Sequence, residues 1–164
     1  MKKALGLGLI VGIFFALFVF FQNYLGATAF YIAAVAMAMF AVIGPLGDYL
    51  KVAIAMLVGI VVGLASMIIL ALSFPLPPDN IMYLAIVSGI ALFLLVVLSV
   101  TGLRIDAMFL GWAASLAALY PTYMADAASL ATAAVPATVG VTVSLMVGLV
   151  MSLLVIKIAM AANR

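Results

Sequence analysis

The sequence predicts an all-α fold: a polytopic membrane bundle of six transmembrane helices in a single integral membrane domain, residues 1–164. Of the 164 residues, 71% are hydrophobic and 6% are charged, whereas soluble domains carry about 25% charged residues. So few charges cannot cover the surface of a soluble fold. The apolar residues also form six runs, and a span needs about 20 apolar residues to cross a bilayer. We therefore expect the lipid bilayer to be the main partner of the chain.

The cations predict the orientation of this bundle. All Lys and Arg residues lie on one side of a six-span plan: Lys2, Lys3, Lys51, Arg104, Lys157 and Arg164. Cytoplasmic loops of membrane proteins retain Lys and Arg. We therefore expect both termini to lie in the cytoplasm.

The first two spans are predicted at about 4–21 and 27–43. The second ends at Gly44-Pro45-Leu46-Gly47, because Gly and Pro at this density break a helix. The first run has an alternative interpretation as a secretory signal peptide, since Ala27-Thr28-Ala29 resembles a cleavage site. The run from Ala4 to Phe21 is longer than the usual apolar core of a signal peptide, which favours a membrane span.

Spans three to five are predicted at about 52–74, 81–100 and 107–120. The third cannot continue into Pro75-Leu76-Pro77-Pro78, and Asp79 is placed to cap the fourth. The fifth is expected to end at Tyr120-Pro121. Trp112 and the tyrosines near span ends are typical of the membrane interface.

The last apolar stretch is too long for one perpendicular span. No charge separates Asp126 from Lys157, and the intervening helix would measure about 45 Å. Because Pro136 divides this stretch, we predict a short interfacial or re-entrant helix over 127–135, followed by the sixth span at about 137–156. The alternative is one long, tilted and kinked helix.

The two halves of the chain resemble each other weakly. The segment that closes span two, Ala41-Val42-Ile43-Gly44-Pro45, parallels Ala117-Ala118-Leu119-Tyr120-Pro121 at the end of span five. Because each half has three spans, the second half would be inverted relative to the first. An inverted 3+3 repeat of this kind is typical of transporters, and paired Gly/Pro interruptions point to their sites.

Small residues recur at four-residue spacing on two of the predicted spans. Gly59 and Gly63 lie on span three, and Gly140, Ser144, Gly148 and Ser152 lie on span six. Small residues let helix backbones approach closely in lipid. Packing within the chain is the favoured interpretation, and a homo-oligomer interface is the alternative.

The residue types present exclude several chemistries. The chain has no His, Cys or Glu, so we expect no enzyme activity, metal site or cofactor. It has no basic run beyond Lys2-Lys3, so we expect no nucleic-acid partner. All four Asp residues lie in loops or at span ends, which argues against a carboxylate proton relay.

Hydroxyls and helix breaks are the polar groups left for a pathway through the membrane. The predicted path residues are Pro45, Pro121, Thr138, Thr142 and Ser144. The alternative for each hydroxyl is a hydrogen bond to a carbonyl of its own helix or to a neighbouring helix.

The plan also resembles a known family. Three features carry the resemblance: the broken second span at Gly44-Pro45-Leu46-Gly47, a third span with Gly59 and Gly63, and the segment Phe109-Leu110-Gly111-Trp112-Ala113. Together they resemble the small bacterial inner-membrane proteins known as domain of unknown function 1097. The resemblance implies a multi-pass inner-membrane protein and no known catalytic residue.

Two functions follow from these observations. The first is a passive channel or uniporter-type carrier for a small, mostly uncharged solute that the sequence does not identify. The second is a non-transporting membrane protein that assembles with itself or with a partner. A polar cavity near the midplane favours transport, whereas a dry and closely packed bundle favours assembly.

Overall fold

The computed structural model describes residues 2–26, 30–72 and 81–161, and the described residues are almost entirely helical. The helices are α1 (Lys2–Leu25), α2 (Phe30–Met37), α3 (Phe40–Ile43), α4 (Tyr49–Leu72), α5 (Ile81–Leu98), α6 (Ile105–Ala125) and α7 (Leu130–Ala161). Single 3-10 turns lie at Ser99–Thr101 and Ala127–Ser129. The predicted all-α class is confirmed. The predicted breaks at Pro75 to Pro78, the cap at Asp79 and the start of span two at Ala27 lie outside the described residues.

Three described helical segments are long and apolar enough to cross a membrane: Tyr49–Leu72, Ile81–Thr101 and Ala127–Ala161. Shorter apolar helical stretches cover Val11–Phe21 and Ile32–Ile43. The long segments correspond to predicted spans three, four and six. Their length and composition are those of a membrane protein.

The predicted separate helix over 127–135 is wrong. One 3-10 turn is followed directly by α7, a single helix of 32 residues with Pro136 inside it. Asp126 starts the turn by accepting a hydrogen bond from the Ala128 amide at 3.0 Å, so the helix has a cap well before Pro136. Proline is tolerated inside membrane helices because neighbouring groups satisfy the freed carbonyl. The alternative of one long helix describes the structure.

The predicted end of the fifth span at Pro121 needs a similar correction. Helix α6 continues through Pro121 to Ala125. The turn after the proline is held in place by Tyr123, which is buried and donates a hydrogen bond to the Leu70 carbonyl at 3.4 Å.

Pro45 lies in a different backbone setting from Pro121. Helix α3 ends at Ile43, where the sequence predicts an end, and Gly44 follows with a φ of +71°. Only glycine adopts this left-handed conformation without strain. Tyr49 closes the turn by donating to the Gly44 carbonyl at 3.3 Å. Pro45 thus lies in a turn between helices, whereas Pro121 lies inside α6. The predicted repeat requires the two prolines to occupy equivalent positions, and they do not.

The second predicted span is divided into α2 and α3. The Met39 amide donates to the Ala36 carbonyl at 3.1 Å, and the Ala41 amide donates to the Ala38 carbonyl at 3.1 Å. The amides of Met39 and Ala41 thus bond three residues back, whereas the Ala38 amide still makes an α-helical bond to the Ala34 carbonyl at 3.1 Å. Neither residue is a helix breaker, so the sequence carries no signal for this interruption.

The chain groups into two compact units, which do not follow the predicted 3+3 repeat. Unit 1 comprises Met1–Tyr49 with Val143–Arg164, and unit 2 comprises Leu50–Thr142. The core of unit 1 contains Phe18, Ala33, Met37, Met151 and Val155. The core of unit 2 contains Met67, Leu70, Val87, Leu119, Tyr123 and Leu130. Helix α7 belongs to both units, because the division falls between Thr142 and Val143.

Candidate functional site

Helices α4 and α6 of unit 2 meet through glycines. A Cβ atom on Gly59 would collide with the Met108 carbonyl oxygen and lie 2.9 Å from the Trp112 amide nitrogen. A Cβ on Gly111 would collide with the Met56 carbonyl oxygen. The two backbones therefore touch with no side chain between them, as small residues allow in lipid.

This contact continues one turn further along α4. A Cβ on Gly63 would lie 2.7 Å from the Ser115 Cβ. Ser115 is fully buried, and its hydroxyl donates to the Gly111 carbonyl at 3.0 Å and lies 3.4 Å from the Ile60 carbonyl of α4. The structure thus places both predicted packing glycines of span three against α6. Sequence reasoning missed Gly111 as their counterpart, although Gly111 and Ser115 have the same four-residue spacing.

The small residues of α7 are buried. Gly140, Ser144, Gly148 and Ser152 all have little or no exposed surface. Within unit 1, a Cβ on Gly148 would lie 2.5 Å from the Ala33 carbonyl oxygen and 2.7 Å from the Ala36 Cβ. Helices α2 and α7 therefore approach each other closely at Gly148.

Two tyrosines bond to the last described turn of α4. Their acceptors are carbonyls just before Leu72, the last described residue of this helix. Tyr83 of α5 donates to the Ile69 carbonyl at 3.0 Å, and Tyr123 of α6 donates to the Leu70 carbonyl. The tyrosines predicted to mark a membrane interface therefore also join α4 to its two neighbours in unit 2.

Pro121 lines a pocket between α5 and α6. This pocket has a volume of about 310 Å³ and is lined by Leu84, Ser88, Leu116, Ala117, Tyr120 and Pro121. In an α-helix the Ala117 carbonyl would accept a hydrogen bond from the amide of residue 121. This residue is Pro121, which has no amide hydrogen to donate. The walls are otherwise almost entirely apolar, and no residue of α7 lines them. The structure thus does not bring Pro121 together with Thr138 in this pocket.

The other predicted path residues are distributed over both units. In unit 2, the Thr138 hydroxyl is buried and has no partner among the described residues, while the Thr142 hydroxyl donates to the Thr138 carbonyl at 2.8 Å. Ser144 belongs to unit 1 and is fully buried. Pro45 also belongs to unit 1 and lies in an exposed turn.

Several hydroxyls bond back to their own helix, as the alternative interpretation predicts. The Ser66 hydroxyl donates to the Val62 carbonyl at 2.8 Å, and Ser115 and Thr142 make the same kind of bond. A hydroxyl that donates to its own helix is not available as a donor to a solute. The buried indole nitrogen of Trp112 lacks a partner among the described residues, although the sequence predicts an interfacial role for this side chain.

An ion pair fixes the turn between α5 and α6. Arg104 Nη2 lies 2.7 Å from Asp106 Oδ2, and Arg104 Nε donates to Asp106 Oδ1 at 3.1 Å. Hydrogen bonding from Arg104 lowers the pKa of Asp106, and the hydrogen bond to Asp106 raises the pKa of Arg104. Gly102 precedes the pair with a φ of +83°. The turn is thus held by its own polar groups.

Helix α5 is the least buried of the three membrane-length segments. Only 17% of its most apolar stretch is buried, compared with 44% for Tyr49–Leu72 and 50% for Ala127–Ala161. Its outer face carries Met82, Ala85, Gly89, Phe93, Val96 and Val100, all exposed. No atom lies within 4 Å of the position of a Cβ on Gly89. Among the described residues no helix packs against this glycine, in contrast to Gly59, Gly111 and Gly148.

Comparison of the chain with protein-family models, with curated proteins and with solved structures found no match. Among the described residues, no group of three or more His, Cys, Asp or Glu side chains is placed to hold a metal ion. The geometry of the helices is therefore the basis for a functional proposal.

Proposed function

We propose that this chain is a multi-pass protein of the bacterial inner membrane that works by assembly: it associates with a second copy through the outer face of α5. In this proposal α1, the pair α2 and α3, α4, α5, α6 and α7 are the six spans. Both termini lie in the cytoplasm, as the cation distribution predicts. The inverted repeat and the resemblance to domain of unknown function 1097 are not needed for this proposal.

The exposure of α5 is the main support for assembly. Its outer face combines the small residues Ala85 and Gly89 with the protruding Phe93, whose side chain is 65% exposed. Elsewhere this chain uses small residues at the same spacing where two helix backbones meet, as at Gly59 and Gly111. A glycine inside a helix costs about 1 kcal/mol relative to alanine, and a helix packed against Gly89 would offset this cost.

The lack of accessible polar groups in the described cavities of unit 2 also favours assembly over transport. The cavities in unit 2 have almost entirely apolar walls, and the hydroxyls of Ser66, Ser115 and Thr142 bond to their own helices. A path for a polar solute needs accessible hydrogen-bonding groups along its length.

The test is self-association in a bilayer. Purified chains carrying donor or acceptor fluorophores are reconstituted in liposomes, and energy transfer is measured as the protein-to-lipid ratio is varied. Ala85→Leu adds a large side chain to the proposed interface, and overpacking costs about 1–3 kcal/mol, so we expect association to weaken roughly 5- to 150-fold.

The matched control is Ala113→Leu, which makes the same change at an exposed position on α6. We expect this variant to associate as the unchanged protein does. Equal association of the unchanged protein, Ala85→Leu and Ala113→Leu would contradict the proposed interface.

A passive pathway for a small neutral solute is the second candidate. It is supported by the buried Thr138 hydroxyl, which has no partner among the described residues, and by the Ala117 carbonyl left without a donor at Pro121. The test is solute flux into proteoliposomes, with Thr138→Val as the disabling variant. Thr132→Val is the control, because its hydroxyl is bonded to the Ser129 carbonyl of its own turn. Flux equal to that of empty liposomes would remove this candidate.

A further inference from the structure

We propose that the pocket between α5 and α6 binds a neutral, membrane-dissolved alcohol, whose hydroxyl donates a hydrogen bond to the Ala117 carbonyl. This cavity, the proline pocket, is lined by Leu84, Ser88, Leu116, Ala117, Tyr120 and Pro121. The proposal depends on the membrane character of the chain, and on neither its self-association nor a pathway for solutes.

Pro121 leaves the proline pocket with an unused hydrogen-bond acceptor. Helix α6 continues through Pro121 to Ala125, so the Ala117 carbonyl is directed along the helix toward a nitrogen that carries no hydrogen. Ala117 and Pro121 bound this gap, and both line the pocket. An acceptor without a donor is costly away from water, and a ligand that supplies a donor removes this cost.

The proline pocket lies within one leaflet of the bilayer. Ser88 is seven residues from the start of α5 at Ile81, and Pro121 is four residues from the end of α6 at Ala125. These separations are roughly 10 Å and 6 Å along the helices, within the roughly 15 Å of hydrocarbon in one leaflet. Bulk water is absent at this depth, so the donor must come from a molecule dissolved in the membrane.

One carbonyl among apolar walls selects an alcohol over the other components of a membrane. A lipid acyl chain has no hydrogen-bond donor, so it would leave the carbonyl unsatisfied. A charged group would lose its hydration against walls that carry no charged side chain. An alcohol brings a neutral donor, and its hydrocarbon chain packs on Leu84 and Leu116.

Ser88 supplies a second hydrogen bond to the same ligand. Its hydroxyl has a hydrogen to donate, and the oxygen of an alcohol accepts while its own hydrogen is donated elsewhere. Ser88 belongs to α5 and Ala117 to α6. The ligand therefore meets hydrogen-bonding groups on both walls of the proline pocket.

The size of the proline pocket sets the size of the alcohol. Its volume is about 310 Å³, and one water molecule occupies about 30 Å³ of liquid, so there is room for roughly ten non-hydrogen atoms. Water does not fill such a space, because each molecule needs two to four polar partners. Ala117 and Pro121 are exposed, so the pocket is open to a ligand that arrives from the surrounding membrane.

The experiment is photolabelling of the protein in liposomes with a diazirine derivative of nonanol, followed by mass spectrometry of the labelled residues. Nonanol, octyl methyl ether and decane are competitors of matched size, compared at equal concentrations within the bilayer. We expect label on the lining residues, displaced by nonanol at about 2- to 13-fold lower concentration than by the ether, which has no hydrogen to donate. Equal competition by nonanol and the ether would overturn the proposed hydrogen bond.

Pro121→Ala tests the acceptor directly. The alanine amide supplies the hydrogen that the Ala117 carbonyl lacks, so labelling should remain while the preference for nonanol over the ether disappears. Pro136→Ala makes the same change inside α7, away from the proline pocket, and should keep the preference. Equal preferences in these two variants would overturn the Ala117 carbonyl as the acceptor.

Two further variants test the walls. Ala117→Phe fills the proline pocket and should abolish labelling, whereas Ala113→Phe, at an exposed position one turn earlier on α6, should be labelled as the unchanged protein is. Equal labelling of both would overturn the pocket as the site, and so would unchanged labelling with loss of self-association in Ala117→Phe, which would assign the pocket to a second copy. Ser88→Ala should weaken competition by nonanol and the ether alike, because both oxygens accept; unchanged competition would overturn the role of Ser88.

Discussion

Replacement of Gly59 by alanine tests the contact between α4 and α6. The added Cβ would meet the Met108 carbonyl oxygen and the Trp112 amide nitrogen, which are backbone atoms and cannot rotate away. The two helices must therefore move apart. Gly12→Ala makes the same chemical change on α1, where no atom of the described residues lies within 4 Å of the new Cβ.

The pair of variants isolates the energy of the clash. Both replacements gain about 0.8–1.0 kcal/mol of helix propensity, and this gain cancels in their difference. Overpacking costs about 1–3 kcal/mol. We therefore expect Gly59→Ala to be less stable than Gly12→Ala by about 1–3 kcal/mol.

The assay is reversible unfolding in mixed micelles, followed by tryptophan fluorescence. The chain has one tryptophan, Trp112, and its backbone lies at the contact, so its emission reports separation of α4 from α6. Equal free energies of unfolding for Gly59→Ala and Gly12→Ala would refute the close approach of these helices.

Three further changes test other parts of the structure in the same unfolding assay. Tyr123→Phe removes the hydrogen bond to the Leu70 carbonyl of α4 and should cost about 0.5–1.5 kcal/mol, whereas Tyr120→Phe is the control; equal losses would contradict a role for this bond. Gly102→Ala forces a side chain into a φ of +83° and should cost about 1–2 kcal/mol; no loss would argue against this turn geometry. Hydrogen bonding to Arg104 lowers the pKa of Asp106 in the folded protein. The ion pair therefore stabilises the fold fully above the pKa of Asp in the unfolded chain, about 4. This stabilisation is lost as the pH falls through the lowered pKa of Asp106 in the folded protein. Asp106→Asn should thus be less stable than the unchanged protein at neutral pH and equally stable in strong acid, and a difference that persists in acid would contradict the ion pair.

The sequence predicts the helical class and several helix ends because these depend on local chemistry. The break after Ile43 follows from Gly44 and Pro45, which act on the backbone of their own segment. The long apolar segments follow from composition alone. No knowledge of the neighbouring helices is needed for either.

The features that the sequence does not predict depend on contacts between distant residues. Helix α6 continues past Pro121, and the Tyr123 side chain in the following turn bonds to Leu70 of another helix. Gly59 and Gly63 can be recognised as packing residues, but their spacing does not name Gly111 as the partner. The interruption between α2 and α3 has no glycine or proline to mark it. For Thr138 the sequence supplies the hydroxyl, and only the structure shows that it is buried without a partner.

The central claim, that the outer face of α5 joins two copies, is tested most directly by cysteine crosslinking. The chain contains no cysteine, so single cysteines along α5 can be oxidised in native membranes without background. We expect disulfide-linked dimers from Ala85→Cys, Gly89→Cys and Phe93→Cys, and none from Val87→Cys or Ala91→Cys, whose side chains are buried within the chain. Absence of dimers at every position, or equal yields on both faces of α5, would contradict the claim.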